Sequence, residues 1–136
     1  DDLSNKKLIN YLDLYNLGCI IAKSENSKKN LYKRYKKIFF IKFIKIDDFQ
    51  IYKTNITLGF IIGGTGDIEL DFNKIKIKNL EIKNKDIILK YHWHPTLKEK
   101  SGLKLEPVYI LDMPIPFIKI LNVSDSKLEI YNSYNE

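Results

Sequence analysis

Residues 87–94 carry the pattern that most restricts how this chain can fold. Ile87, Leu89, Tyr91 and Trp93 alternate with Ile88, Lys90, His92 and His94, and Pro95 then interrupts the series. Side chains along a strand point to opposite faces in turn, so this alternation specifies a strand with one face on a core. Trp93 is expected on the core side with Ile87, Leu89 and Tyr91, and both histidines on the more polar side. Pro95 has no amide hydrogen to give a ladder, so the strand should stop there or run along an edge. The next residues, TLKEKSG (96–102), have turn composition and lead into a further strand.

The same period recurs downstream. ITLGFII, DIELDF, KIKIKNLEIK, LKLEPVYIL, PFIKIL and KLEIYNSY, with the central strand, make about seven short strands from residue 56 onward, the spacing of an antiparallel sandwich. In 67–72, Ile68, Leu70 and Phe72 are expected to face inward and Asp67, Glu69 and Asp71 outward. In 74–83 the apolar series runs through Ile75 and Ile77, then slips by one to Leu80 and Ile82, which predicts a bulge near Asn79. The GGTG at 63–66 lacks a following Lys-Ser/Thr and precedes a strand rather than a helix, so it reads as a hairpin turn and not a phosphate cradle.

The N-terminal third reads differently. Leu8, Leu12 and Tyr15, with Ile9 beside them, stand at helical spacing in 5–16, with Ser4 or Asn5 as cap and Gly18 after the end. A strand at 17–22 follows, and Ser24 opens a second helix through about Lys36, with Leu31 and Tyr35 on one face. The runs 38–46 and 49–54, separated by Asp47–Asp48, suit a hairpin beside that first strand. The expected fold class is therefore α+β. A small N-terminal helix–strand–helix unit (1–55) precedes a jelly-roll-like antiparallel β-sandwich (56–136), the two making one compact structural unit.

Charge narrows the function classes. The net charge is +6, but Arg34 is the only arginine, whereas sequence-specific readers of nucleic acid lean on arginine for bidentate contacts. The basic run 28–37 is expected to be a solvated helix face, and no nucleic-acid partner is expected. No window approaches the apolar length of a membrane span. The start at Asp1, with no initiator Met or signal segment before it, suits a mature product or an excised domain. Cys19, the one cysteine, lies in the apolar run LGCII and is expected to be a small buried hydrophobe. Asn55–Ile56–Thr57 and Asn122–Val123–Ser124 are formal glycosylation sequons.

Chemistry is confined to one stretch. His92 and His94 stand at i, i+2, about 7 Å apart on a strand face, which suits two ligands of one metal. With Glu99 they form HxHxxxxE, half of the pattern by which cupins hold a metal. There is no third histidine for the second half, and EKSGLKLEP follows Glu99 where a cupin carries an apolar strand. The leading expectation is thus no metal and no cofactor, with a cupin-like metalloenzyme using His92, His94 and Glu99 as the alternative. No catalytic residue is assigned, since no Ser/His/Asp or Cys/His arrangement, paired carboxylates or nucleotide loop is visible. Tyr91, His92, Trp93, His94, Lys98 and Glu99 are the candidate ligand-binding residues: aromatic faces beside hydrogen-bonding groups.

The stretch IILKYHWHPTLKEKSGLKLEPVYI, with PIPFIKI and SKLEIYN after it, resembles the soluble C-terminal region of multi-spanning membrane proteins of the C-type glycosyltransferase superfamily. Within that superfamily it resembles in particular the YfhO-like and 6-pyruvoyl-tetrahydropterin-synthase-related membrane proteins. LINYLDLYNLGCII and FQIYKTN resemble their N-terminal helix–strand and following strand. Thr96–Leu97 stands where those proteins carry Gly–Trp after the proline, and Cys19 where an aromatic is common. The resemblance implies an extracytoplasmic, non-catalytic accessory domain that packs on the membrane portion of its own polypeptide and contacts glycan or lipid-linked sugar. Their catalytic acids lie in membrane loops, so none carries over to this chain.

Overall fold

In the computed structural model, described for residues 2–35, 43–54, 56–57 and 59–134, the chain is a mixed α+β protein that divides into two compact units, Asp1–Gly59 and Phe60–Glu136.

The first unit contains α1 (Asp2–Leu14), β1 (Cys19–Ala22), α2 (Glu25–Tyr35), β2 (Phe43–Ile46) and β3 (Phe49–Lys53). β3 lies between β1 and β2, antiparallel to both. Leu12, Ala22 and Tyr52 form its buried centre, with Leu8, Ile20, Leu31 and Ile56 packed on them. α1 begins earlier than its apolar spacing suggested, and Asn16, not Gly18, ends it. Asn16 takes φ 52°, and the amides of Leu17 and Asn16 donate to the carbonyls of Leu12 and Asp13. This closure needs a left-handed residue, which Asn tolerates. Ser24 caps α2 as expected, its Oγ accepting the Ser27 amide at 3.1 Å. The predicted strand at 38–46 is seen from Phe43; residues 36–42 lie outside the described residues, as does the sequon residue Asn55. Cys19 corrects its expectation: it is exposed, because in β1 the inward positions fall to Ile20 and Ala22.

The second unit is sandwich-like. One sheet has the order β4 (Ile61–Ile62), β7 (Ile87–His92), β10 (Phe117–Ile120), β9 (Leu105–Val108). The other runs β5 (Gly64–Asp71), β6 (Lys74–Ile82), β11 (Leu128–Asn132), β8 (Leu97–Glu99). Ile87, Leu89, Ile118 and Ile120 of the first sheet meet Ile77, Leu80, Leu128 and Ile130 of the second in one buried cluster. Full burial of such side chains is worth roughly 1.5–3 kcal/mol each, so this layer dominates the unit's stability. Pro107 sits in β9, an edge strand, where a missing amide hydrogen breaks no ladder.

The bulge near Asn79 is present. Between the pairs Thr65↔Glu81 and Asp67↔Lys78 the register shifts, Asn79 takes φ 51°, and its Nδ2 donates to Asp67 Oδ2 at 2.7 Å. The extra residue is what lets both Ile77 and Leu80 reach the core.

Other expectations change. GGTG is not a hairpin turn: β4 and β5 flank Gly63 but belong to different sheets. Gly63, at φ 88°, turns the chain from one layer to the other. A Cβ on Gly64 would lie 2.7 Å from the Glu81 carbonyl oxygen, so the corner also needs close backbone approach. Within 96–102, expected as turn, residues 97–99 form β8 against β11. Leu70 and Phe72 are 63% and 87% exposed; Ile68 packs on the core, but the β5–β6 hairpin runs on past the residues that cover it.

Candidate functional site

The central strand β7 sorts its side chains as the alternation required. Ile87 and Leu89 are buried, and Tyr91 and Trp93 pack against the same cluster. Tyr91 stacks on Phe60, centroids 5.7 Å apart, and burial raises its hydroxyl pKa above the ordinary value. His92 and His94 are exposed. The strand ends at His92, and the Trp93 amide donates to the Pro116 carbonyl.

Pro95 then builds a tight turn, closed by the Leu97 amide on the His94 carbonyl at 3.0 Å. The turn is fastened to the end of β11. The Thr96 carbonyl accepts the Ser133 amide at 3.0 Å and the Ser133 hydroxyl at 2.8 Å. Thr96 Oγ1 donates to Asn132 Oδ1 at 2.7 Å. On the other side, the Asn132 amide donates to the carbonyl of Asn73 in the β5–β6 turn at 3.2 Å. Three segments therefore lie side by side at one end of the sandwich: 72–73, 132–134 and 94–97.

His94 organises this end. Its Nδ1 is 2.8 Å from Thr96 Oγ1 and its Nε2 is 2.9 Å from the Tyr134 hydroxyl, the two rings lying 5.2 Å apart at 46°. An assignment that uses each proton once has Nδ1–H donating to Thr96, Thr96 to Asn132, and the Tyr134 hydroxyl to Nε2. Tyr134 is 64% exposed yet held in place.

The six sequence-predicted residues do not converge on one point. Tyr91 and Trp93 belong to the core side, and His92 stands beside Phe117 on the opposite side, ring centroids 6.4 Å apart. Lys98 pairs in register with Tyr131 and is exposed. Glu99 is only 6% exposed and its carboxylate closes the turn that follows it. Its Oε2 accepts the Ser101 amide at 2.8 Å, the Ser101 hydroxyl at 2.6 Å and the Leu103 amide at 3.2 Å. Oε1 is 3.4 Å from the Glu129 amide. The carboxylate that HxHxxxxE would lend to a metal is thus occupied by its own turn. Among the described residues, no group of three or more His, Cys, Asp or Glu could hold a metal ion.

Of the candidates, His94 remains at a surface with binding chemistry. Thr96, Asn132 and Tyr134 join it, the exposed Phe72 lies in the neighbouring β5–β6 turn that Asn132 ties down through the Asn73 carbonyl, and none of these was legible beforehand. Two are loop aromatics, which is a signal, but only the pairing of β11 with the 94–97 turn brings them together. The arrangement offers aromatic faces, hydroxyls and an amide, without an acid pair or an activated nucleophile. A shallow groove of about 480 Å³ on the outer side of the β5–β6–β11–β8 sheet is lined by Lys76, Lys78, Lys127 and Glu129. Glu129 meets Lys100 of the same groove at 3.6 Å and Lys74 beside it at 3.4 Å. Burial works to raise the Glu129 pKa, but Lys100 and Lys74 hold it below the ordinary glutamate value.

No helix among the described residues is long and apolar enough to cross a membrane. Comparison with protein-family models, with curated proteins and with solved structures finds no match to this chain.

Proposed function

We propose that the chain is a non-catalytic, glycan-contacting accessory module that binds at the end of its sandwich formed by Phe72, His94, Thr96, Asn132 and Tyr134. The observation that carries this reading is Tyr134, an exposed aromatic fixed by a hydrogen bond to His94. A sugar needs an apolar face to stack on and polar groups at its rim, and pre-set side chains lower the ordering cost of binding. Phe72, which the core does not use, supplies a second face. Two sheets of four strands match the layer architecture and strand number of jelly-roll folds, which include lectin domains. The β5–β6 and β9–β10 hairpins each lie within one sheet, so the likeness drawn is one of architecture.

The sequence resemblance supplies the setting: the extracytoplasmic face of a membrane glycosyltransferase-like protein, with lipid-linked sugar or glycan as ligand and the membrane portion of the same polypeptide as partner. The sequence encoded ahead of Asp1 tests that setting, with several apolar spans expected and their absence sinking it. Calorimetric titration with neutral oligosaccharides and water-soluble polyprenyl-phosphate sugar analogues tests the site. Tyr134→Ala and Phe72→Ala are expected to weaken binding by about tenfold each, at unchanged melting temperature. Binding that survives both changes together with His94→Ala removes this surface from the site. Turnover of a polyprenyl-phosphate sugar by this chain alone overturns the non-catalytic reading.

A further inference from the structure

The edges of the second unit are not equally protected. β4 and β8, at two and three residues, are too short to template another strand, and β9 carries Pro107. β5 is eight residues long, pairs among the described residues only with β6, and contains neither proline nor lysine. Sheets ordinarily blunt such an edge with those residues, because its free amides and carbonyls accept a further strand. Leu70, on the inward side of β5, is 63% exposed at this edge.

Charge on the outer side says what would fit. Across the sheet, β5 presents Asp67, Glu69 and Asp71, β6 presents Lys74, Lys76 and Lys78, and β11 presents Glu129. These stand in register: Asp67↔Lys78, Glu69↔Lys76, Asp71↔Lys74 and then Glu129↔Lys76. Acidic and basic rows alternate, with ion pairs at 2.7 Å (Lys78–Glu69) and 3.6 Å (Lys76–Asp71). Among the described residues, the acidic row has lysines on one side only. β6 itself, with lysines opposite acids and Ile75 and Ile77 opposite Leu70 and Ile68, shows the kind of strand that complements β5.

We propose that the open edge of β5 receives an extended segment of another protein in which lysine alternates with apolar residues, added as a further strand of this sheet. Lysines of that segment face Asp67, Glu69 and Asp71, and an apolar residue covers Leu70. Backbone hydrogen bonds supply affinity and the alternate side chains supply selectivity. A second copy of this chain paired through the same edge is disfavoured, since it sets the acidic row against itself.

The test uses the whole chain and a fluorescein-labelled peptide, Lys-Ile-Lys-Ile-Lys-Thr-Lys, with a counterpart carrying Glu for every Lys. Anisotropy titration is expected to show binding of the basic peptide only, weakening with salt. Amide exchange of residues 65–71 is expected to slow on binding. Leu70→Lys places a charge at the edge of an already exposed position and is expected to weaken binding by about tenfold. Unchanged Trp93 emission checks that the variant is folded. Equal binding of the acidic peptide, indifference to Leu70→Lys, or protection confined to other strands overturns the proposal. So does self-association of the unmodified chain in sedimentation that Leu70→Lys abolishes, which would assign the edge to a second copy.

Discussion

Replacing Glu99 separates a turn-closing carboxylate from a ligand held in reserve for a metal. In Glu99→Ala, the amides of Ser101 and Leu103 and the Ser101 hydroxyl lose their acceptor, bonds of 2.8, 3.2 and 2.6 Å. Hydrogen bonds to a charged group contribute about 1.5–3 kcal/mol each, so the three together set a ceiling of roughly 5–9 kcal/mol. Ser101 and Gly102 are exposed, so water replaces much of what is lost, and about 2–3 kcal/mol is expected to remain. Glu99→Gln retains one acceptor oxygen for the same donors but removes the charge, and should cost about 1 kcal/mol. Trp93, the only tryptophan, lies in the same unit as Glu99. Its emission during urea or thermal unfolding therefore reports the relevant transition, and the Ala variant should melt roughly 10–20 °C lower. A loss below about 0.5 kcal/mol in Glu99→Ala would refute the turn-closing role. Stoichiometric zinc, manganese or iron in the purified protein, released by the same substitution, would restore the cupin-like reading.

Three further outcomes follow from the fold. Asn79→Ala should destabilise by about 1–2 kcal/mol while Asn79→Gly stays nearer the parent, because φ 51° is costly for a side chain with no local polar compensation; denaturant midpoints measure both. Gly64→Ala pushes a methyl to within 2.7 Å of the Glu81 carbonyl oxygen and should cost about 1–3 kcal/mol by the same assay. Asp86 has its pKa lowered by the Asn122 amide and by Lys119. A carboxyl whose pKa falls on folding contributes stability above its unfolded pKa and loses it as pH drops through the folded value. Asp86→Asn should therefore flatten the acid limb of the pH–stability curve, and an unchanged limb would show that those two contacts do not hold the carboxylate.

What the sequence made legible is what depends on neighbours along the chain. The core face of β7 follows from its period, the cap at Ser24 from its position before α2, and the bulge at Asn79 from a slip in apolar register. What it hid depends on partners far away in the chain. GGTG looks like a hairpin turn until β4 and β5 are seen to enter different sheets. Leu70 and Phe72 obey the inward parity of β5, but parity cannot say where the facing residues end. His92, His94 and Glu99 keep ligand spacing in the sequence, yet strand β8 and its turn direct Glu99 to Ser101 and Leu103. Tyr134 meets His94 only because β11 runs beside the 94–97 turn.

The strand order β5–β6–β11–β8 also constrains when this unit can fold. β11, the last of the described strands, is an inner strand of its sheet, between β6 and β8. During synthesis the β5–β6 hairpin can form early, but the sheet stays split until Leu128–Asn132 emerges, and among the described residues β8 has no ladder partner before then. Loop closure over such separations is slow, in the millisecond-to-second range typical of all-β domains. Until it happens the inner faces of Ile77, Leu80, Ile87 and Leu89 stay open to other chains. Shielding the nascent chain until β11 arrives should therefore matter more to its yield than any single contact in the finished core.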